Sequence, residues 1–323
     1  MIASVLVPLD GSPESAPARP YAEALLPDDG AILLLTVVSD LGTLVPNDPV
    51  LTEWQWTHRP EREAAYAAEL NGARAALQQI VAQKPDSPLT WSVEVALGDP
   101  ASQILQTIAH RDPDLVAMTT AGRSALGRFV FGSVADRIVR NSPVPVLLVR
   151  LAATAPAPEG ATIARLLVPL DGSELAETAL PVATEVAQRL GVPVHLVRAT
   201  NSAQVLATLG GGGPVPATPP AGIYDQLGSD LEREATTYLS GVAKGLQAEG
   251  LIASWEVDSG SPYTEIAHAI KPGDLLVMTS HGRGGVMRWL LGSVAEKLVR
   301  DAPAPVLLVP AADRGRAVEG DGR

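Results

Sequence analysis

The sequence contains one long pattern twice, once in each half of its 323 residues. The first copy begins with VLVPLDGS and ends with DLVAMTTAGRSALGRFVFGSVADRIVRNSPVPVLLV. The second begins with LLVPLDGS and ends with DLLVMTSHGRGGVMRWLLGSVAEKLVRDAPAPVLLV. A repeat of this length indicates two copies of one folding unit, because each copy is long enough to build its own core. We therefore expect one architecture that is built twice.

Length and composition place both copies among globular domains. Hydrophobic residues make up 46% of the chain and charged residues 19%, a balance that is typical of a packed core. Two domains of about 150 residues fit the usual domain size better than a single domain of this length. The predicted divisions are a first domain at 1–150, an Ala/Pro-rich linker at 151–163, a second domain at 164–310 and a polar tail at 311–323.

The charge and the residue types exclude several classes of protein. The formal net charge of −12 argues against a protein that binds nucleic acid or anionic lipid. The chain has no cysteine, and its five histidines show no spacing that is typical of a metal site. No apolar segment is long enough for a membrane span, and the first residues lack the pattern of a signal peptide. We expect a cytoplasmic protein without metal ligands, without nucleic acid and without membrane contact.

Short apolar runs alternate with longer amphipathic stretches in each half. The runs are rich in Val, Leu and Ile with little polar alternation, as expected for strands that are buried on both faces of a parallel sheet. Helices are predicted at 12–26, 61–83, 100–110 and 133–140, and at 173–190, 224–248, 262–270 and 293–300. This alternation predicts a doubly wound α/β fold in each half, with an open, parallel, five-stranded sheet between layers of helices.

An aspartate follows the first predicted strand of each half, in the motif VPLDGS. Asp10 and Asp171 therefore stand at the carboxyl end of a strand, directly before a helix. The residues alone allow a helix N-cap, or a carboxylate in the crevice where open α/β sheets bind ligands. Preferences at helix starts by themselves favour the cap.

A loop with two fixed glycine positions follows the fourth predicted strand of each half. The residues that share this spacing are Thr119, Gly122, Gly132 and Ser133, and then Thr279, Gly282, Gly292 and Ser293. A Gly-Ser pair that opens a helix presents free N–H groups, a hydroxyl and the positive end of the helix dipole, which together suit a phosphate. The alternative is a glycine turn followed by a serine N-cap. Two copies with one spacing favour phosphate binding, to which Arg123 and Arg283 would add positive charge.

With these motifs the chain resembles a tandem member of the universal stress protein family, and the resemblance covers nearly the whole chain outside the linker, the long loops and the tail. The ATP-binding branch of that family has the pattern G-x2-G-x9-G-(S/T) after the fourth strand. The second and third glycines and the serine match in both halves, whereas Thr119 and Thr279 replace the first glycine. The resemblance implies that ATP, with Mg²⁺, binds to this fold.

The resemblance also implies which residues contact the nucleotide. It assigns an adenine-contacting role to Asp10 and Asp171, in place of the helix cap, and a pocket-lining role to Val37 and Ala199. The implied set in the first half is Asp10, Val37, Met118, Thr119, Gly122, Arg123, Gly132, Ser133 and Val134. The implied set in the second half is Asp171, Ala199, Met278, Thr279, Gly282, Arg283, Gly292, Ser293 and Val294.

The sequence leaves three functions open. The resemblance favours a stress-response regulatory protein, in which bound ATP changes the surface that is offered to a protein partner. An ATPase or phosphotransferase is less favoured, because the chain has no Walker motif and no evident pair of base and nucleophile. No catalytic residue is predicted, and any hydrolysis is expected to be slow. A non-nucleotide-binding interaction module is the third function, and the threonines that replace glycine are the argument for it.

The resemblance carries one further implication, for the last strand of each half. The segments PVPVLLV and PAPVLLV are apolar, and a strand of this kind at a sheet edge favours pairing. By the resemblance these strands pair the two halves as an internal pseudo-dimer. The sequence leaves a further homodimer open.

Overall fold

A computed structural model describes residues 1–39, 59–120, 132–150, 161–201, 205, 223–280 and 291–311. The chain divides into two compact units, Met1–Thr162 and Ile163–Arg323. Among the described residues, no helix is both long enough and apolar enough to cross a membrane.

The described elements of the two units follow one another in nearly the same order. Those of the first unit are β1 (Ser4–Pro8), a 3₁₀ turn (Pro13–Ser15), α1 (Ala18–Ala24), β2 (Ala31–Val38), α2 (Arg59–Ala82), β3 (Thr90–Leu97), α3 (Pro100–Arg111), β4 (Leu115–Thr119), α4 (Ser133–Asn141) and β5 (Val146–Val149). Those of the second unit are β6 (Arg165–Pro169), α5 (Glu174–Glu177), α6 (Leu180–Leu190), β7 (Val194–Thr200), α7 (Ile223–Ala248), β8 (Ala253–Ser259), α8 (Pro262–Ala269), β9 (Asp274–Thr279), α9 (Ser293–Asp301) and β10 (Val306–Val309).

Each unit has a five-stranded sheet in which all neighbouring strands are parallel. The strand order is β3-β2-β1-β4-β5 in the first unit and β8-β7-β6-β9-β10 in the second. The chain runs outward from β1 to β3 and then crosses back to β4 on the other side of β1. This reversal confirms the doubly wound α/β fold, and it places the switch in strand order between β1 and β4.

The central strands explain why the sequence shows so little alternation. In β1, Val5, Leu6 and Val7 are at most 1% exposed, and the matching residues of β6 are fully buried. Helices cover both faces of a doubly wound sheet, so every position of such a strand faces apolar side chains. The carboxyl ends of β1 and β4, and of β6 and β9, are therefore held on a rigid scaffold.

Two predicted helices are wrong in extent, because prolines interrupt them. The stretch 12–26 contains a 3₁₀ turn and then α1, which begins after Pro17. The stretch 173–190 contains α5 and then α6, in which Pro181 is an early residue. Proline has no N–H to donate to the carbonyl four residues earlier, and its ring clashes with that carbonyl. Pro181 thus separates α6 from α5, which ends at Glu177.

Candidate functional site

The predicted aspartates lie at the carboxyl edge of each sheet, beside the switch in strand order. Continuing the β1–β2 register beyond Pro8 brings Asp10 level with Val37. The β6–β7 register likewise brings Asp171 level with Ala199. Residues that are level on neighbouring parallel strands lie side by side on one face of the sheet. The structure therefore brings the two predicted nucleoside-contacting positions of each half together.

Hydrogen bonds from the serine two residues later orient the side chain of each aspartate. Asp10 Oδ1 accepts bonds from the N–H and the hydroxyl of Ser12, at 2.9 and 2.5 Å. Asp171 Oδ1 accepts the same two bonds from Ser173, at 2.9 and 2.6 Å. Ser173, and not Asp171, is the helix N-cap, because its Oγ accepts the N–H of Ala176 at 3.1 Å. The aspartates themselves cap no helix.

The glycine of the DGS motif is required by the shape of this turn. Gly11 and Gly172 have φ angles of +78° and +81°, in the left-handed region. Glycine adopts that region without strain, whereas other residues lose about 1–2 kcal/mol there. The turn therefore sets the backbone position of each aspartate and the direction of its side chain.

The predicted Met-Thr pair of each half ends the strand that borders the switch. Met118, Thr119, Met278 and Thr279 are only 5% to 8% exposed. Both threonines pair with the next strand, β5 or β10, and so belong to the sheet and not to the loop. A β-branched residue suits an extended strand. The backbone therefore accommodates threonine where the family pattern has its first glycine.

A hydrogen bond closes the base of the loop that follows. The N–H of Gly132 donates to the carbonyl of Thr120 at 2.8 Å, and the N–H of Gly292 donates to the carbonyl of Ser280 at 2.9 Å. The bond holds the start of α4 at the end of β4, and the start of α9 at the end of β9. Each helix N-terminus therefore lies at the carboxyl edge of its sheet.

Glycine is the N-cap of both helices. Gly132 has φ −66° and ψ 145°, and Gly292 has φ −59° and ψ 146°, values that any residue can adopt. Ser133 and Ser293 are the first helical residues, so the interpretation of a serine N-cap is wrong. Neither helix start has a side-chain cap bond, so the N–H groups of its first turn lack the acceptor that a Ser, Asp or Asn cap supplies.

The described members of each predicted set thus share one sheet edge. Val134 and Val294 are half-buried in the first turn of their helices, beside the two exposed serines. The predicted residues that lie outside the described part of the chain are Gly122, Arg123, Gly282 and Arg283. Within the described part, no group of three or more His, Asp or Glu side chains could hold a metal ion.

The sequence analysis did not single out an ion pair that anchors α4. Asp99, the N-cap of α3, accepts the hydroxyl and the N–H of Ser102, and Arg137 Nη1 of α4 lies 2.7 Å from its Oδ2. The Ser102 hydroxyl, with the Arg137 guanidinium, holds the pKa of Asp99 below its ordinary value. The Asp-Pro pair signals the cap, but nothing local in sequence signals the arginine. The second half has Ser261 and Lys297 at these positions.

Comparison with known proteins agrees with this architecture. The model of the universal stress protein family matches residues 1–150 and 162–310. A universal stress protein of Mycobacterium tuberculosis is 27% identical over 309 residues, which are 94% of this chain and 96% of that protein. A universal stress protein of Mycolicibacterium smegmatis is 28% identical over 327 residues, with the same coverage of both chains.

Solved structures support the same conclusion for the fold. A universal stress protein from Archaeoglobus fulgidus has a TM-score of 0.59 at 19% identity, covering 97% of this chain and 100% of that one. A functionally unknown protein from Pseudomonas aeruginosa has a TM-score of 0.57 at 15% identity, covering 96% and 93%. With the family model matched in both halves, the chain belongs to the universal stress protein family and carries two such domains in tandem.

Proposed function

We propose that each half binds ATP, with Mg²⁺, across the carboxyl ends of its first and fourth strands, and that this binding makes the protein a stress-response regulator. The starts of α4 and α9 carry the proposal. Gly132 and Gly292 leave the first-turn N–H groups without a side-chain cap, and a loop-closing bond holds each helix start at the switch in strand order. Helix N-termini of this kind bind phosphate, because free N–H groups and the helix dipole act together.

The other end of the candidate site suits a nucleoside. Asp10 and Asp171 are carboxylates oriented by a turn, and the exocyclic amine of adenine is a donor of the matching kind. Val37 and Ala199 offer small apolar surfaces at the same level of the sheet. The Ser133 hydroxyl lies in the first turn, where it could meet Mg²⁺; this ion keeps mostly phosphate and water ligands and needs no protein carboxylate cage.

The structure weakens the alternative of an interaction module that binds no nucleotide. That alternative rested on Thr119 and Thr279, which replace the first glycine of the pattern. Both threonines lie in an extended strand, a backbone conformation that glycine and threonine can both adopt. Slow hydrolysis, the cytoplasmic location, the protein partner and the oligomeric state stay predictions.

The first test compares ATP with inosine triphosphate, which lacks the exocyclic amine. We expect nucleotide-stripped protein to bind ATP·Mg²⁺ more tightly than inosine triphosphate, measured by isothermal titration. Asp10→Ala with Asp171→Ala should weaken ATP binding about tenfold or more, the value of a hydrogen bond to a charged group, and should remove the preference for ATP. Asp29→Ala is the control, because Asp29 is exposed just before the amino end of β2.

Two results would contradict the proposal. Stripped protein that binds neither nucleotide would exclude the site altogether. If the Asp10→Ala, Asp171→Ala variant still prefers ATP to inosine triphosphate, the aspartates do not accept a hydrogen bond from the exocyclic amine of adenine.

A second prediction concerns the threonines. Thr119→Gly with Thr279→Gly restores the family pattern, but we expect ATP affinity to change less than about threefold, because threonine keeps its N–H and its side chain is buried in the sheet. Glycine in a strand should cost about 1 kcal/mol of unfolding free energy at each position. Titration with ATP and urea denaturation measure the two effects. A gain in affinity above tenfold would mean that the threonine side chains obstruct the nucleotide.

A further inference from the structure

The second half contains a polar network that we call the brace, formed by Glu177, Tyr238, Arg198 and Glu234. Arg198 of β7 is 6% exposed, and its Nη2 lies 3.2 Å from Glu234 Oε1. Its guanidinium carbon lies 5.2 Å from the centroid of the Tyr238 ring. The Tyr238 hydroxyl donates to Glu177 Oε1 at 2.8 Å. The brace thus joins α5, α7 and β7.

Both ends of the brace lie next to predicted nucleotide contacts. Glu177 is the last residue of α5, a helix of one turn that Ser173 caps. The N–H and the hydroxyl of the same Ser173 both donate to Asp171 Oδ1. At the other end, Arg198 immediately precedes Ala199. The Asp171 turn and the Ala199 position are therefore tied to each other through α7.

The brace pairs a buried charge with a partner at the surface, because the Arg198 side chain is 7% exposed and that of Glu234 is 62% exposed. A buried guanidinium is stable only with paired charges, which Glu234 supplies directly and the Tyr238 ring supports through a cation–π contact. Burial, with the hydrogen bond to Glu177, raises the pKa of Tyr238 above its ordinary value, and the charge of Asp171 acts in the same direction. The hydroxyl therefore stays protonated at physiological pH and continues to donate.

The first half cannot form this network. Counting from the DGS motif, Ala16 stands where the second half has Glu177. By strand register, Thr36 is level with Leu9 as Arg198 is level with Leu170, so Thr36 stands in place of Arg198. Ser12 also makes no side-chain cap bond, and only a 3₁₀ turn follows it. The turn that carries Asp10 therefore lacks the link through a carboxylate and a tyrosine that the turn of Asp171 has through Glu177 and Tyr238.

We propose that Tyr238 is a positioning residue, which holds the Asp171 turn in its binding geometry and makes the second half the tighter of two ATP sites. This inference rests on the proposed function and adds that the two sites are unequal. A turn that is already ordered loses less conformational freedom when the ligand binds. The half whose turn loses less conformational freedom on binding is therefore expected to bind ATP more tightly.

The test isolates the second site in the full chain by removing the first with Asp10→Ala and Gly132→Val. In this parent, Tyr238→Phe keeps the ring over Arg198 and removes only the hydroxyl. We expect ATP affinity to fall about threefold to thirtyfold, which is only part of the value of a hydrogen bond to a charged group, because Tyr238 acts through the turn and does not contact the nucleotide. Tyr263→Phe is the matched control, because its hydroxyl lies 3.4 Å from Asp301 Oδ2, outside the brace; its affinity should equal that of the parent.

Other outcomes separate this inference from the proposed function. If Tyr238→Phe lowers the unfolding temperature without ATP but leaves ATP affinity unchanged, the brace is only structural and the inference fails while ATP binding stands. If the parent binds ATP more weakly than the mirror variant Asp171→Ala with Gly292→Val, the second site is not the tighter one. Wild-type protein that binds no ATP would overturn both proposals.

Discussion

Asp274→Ala is expected to lower the unfolding free energy of the second half by about 3–5 kcal/mol, the usual cost of leaving one partner of a buried ion pair alone. The Asp274 side chain is 2% exposed and that of Arg165 is 15% exposed. Two bonds join them, Nε to Oδ1 at 2.9 Å and Nη2 to Oδ2 at 2.6 Å. Urea denaturation of the full chain, followed by circular dichroism, measures the loss.

The position of this pair links the prediction to the candidate site. Arg165 and Asp274 are level with each other at the amino ends of β6 and β9, the strands that lead to Asp171 and Thr279. Glu296→Ala is the control, because Glu296 pairs with Arg300 on the surface of α9, where both side chains are more than 40% exposed. Such exposed pairs contribute about 0.2–1 kcal/mol. If the two variants lose equal unfolding free energy, burial does not increase the stability that the pair of Arg165 and Asp274 contributes.

The strands were predictable because their physical cause is local. A parallel strand that is buried on both faces needs an apolar residue at nearly every position, and AILLLTVV shows that requirement directly at β2 (Ala31–Val38). The two helices that were wrong also have a local cause. The amphipathic pattern of 173–190 is continuous, but Pro181 acts on a carbonyl four residues earlier and ends the first segment at Glu177.

The candidate site was predictable only where a motif fixes it. The DGS motif placed Asp10 and Asp171 at strand ends, and the glycine spacing placed the helix starts beside them. The closing bond from Gly132 to Thr120 was not predictable, because it depends on how the loop returns to the sheet. The brace was missed for a related reason. Tyr238 and Glu177 are 61 residues apart, and a contact of that separation leaves no periodic trace in the sequence.

ATP·Mg²⁺ at a hundredfold excess over its Kd is expected to stabilise the wild-type protein by about 2.7 kcal/mol, which raises the unfolding temperature by about 5–10 °C. Gly132→Val with Gly292→Val should remove this rise. The ψ and φ angles of both N-caps suit valine, so the fold without ATP should lose only about 1 kcal/mol per cap. The branched side chains would stand in the path of a phosphate that approaches the first-turn N–H groups.

The matched control for this variant is Gly72→Val with Gly245→Val, one change in the long helix of each half. A β-carbon at either glycine meets no described atom within 4 Å, and neither glycine belongs to the predicted nucleotide contacts or to the brace. This variant should keep the full response to ATP, because its helix starts are intact. If Gly132→Val with Gly292→Val responds to ATP as strongly as this control, the N-termini of α4 and α9 do not bind the phosphates. ATP that still bound would then be held by the strand ends alone, at Asp10 and Asp171.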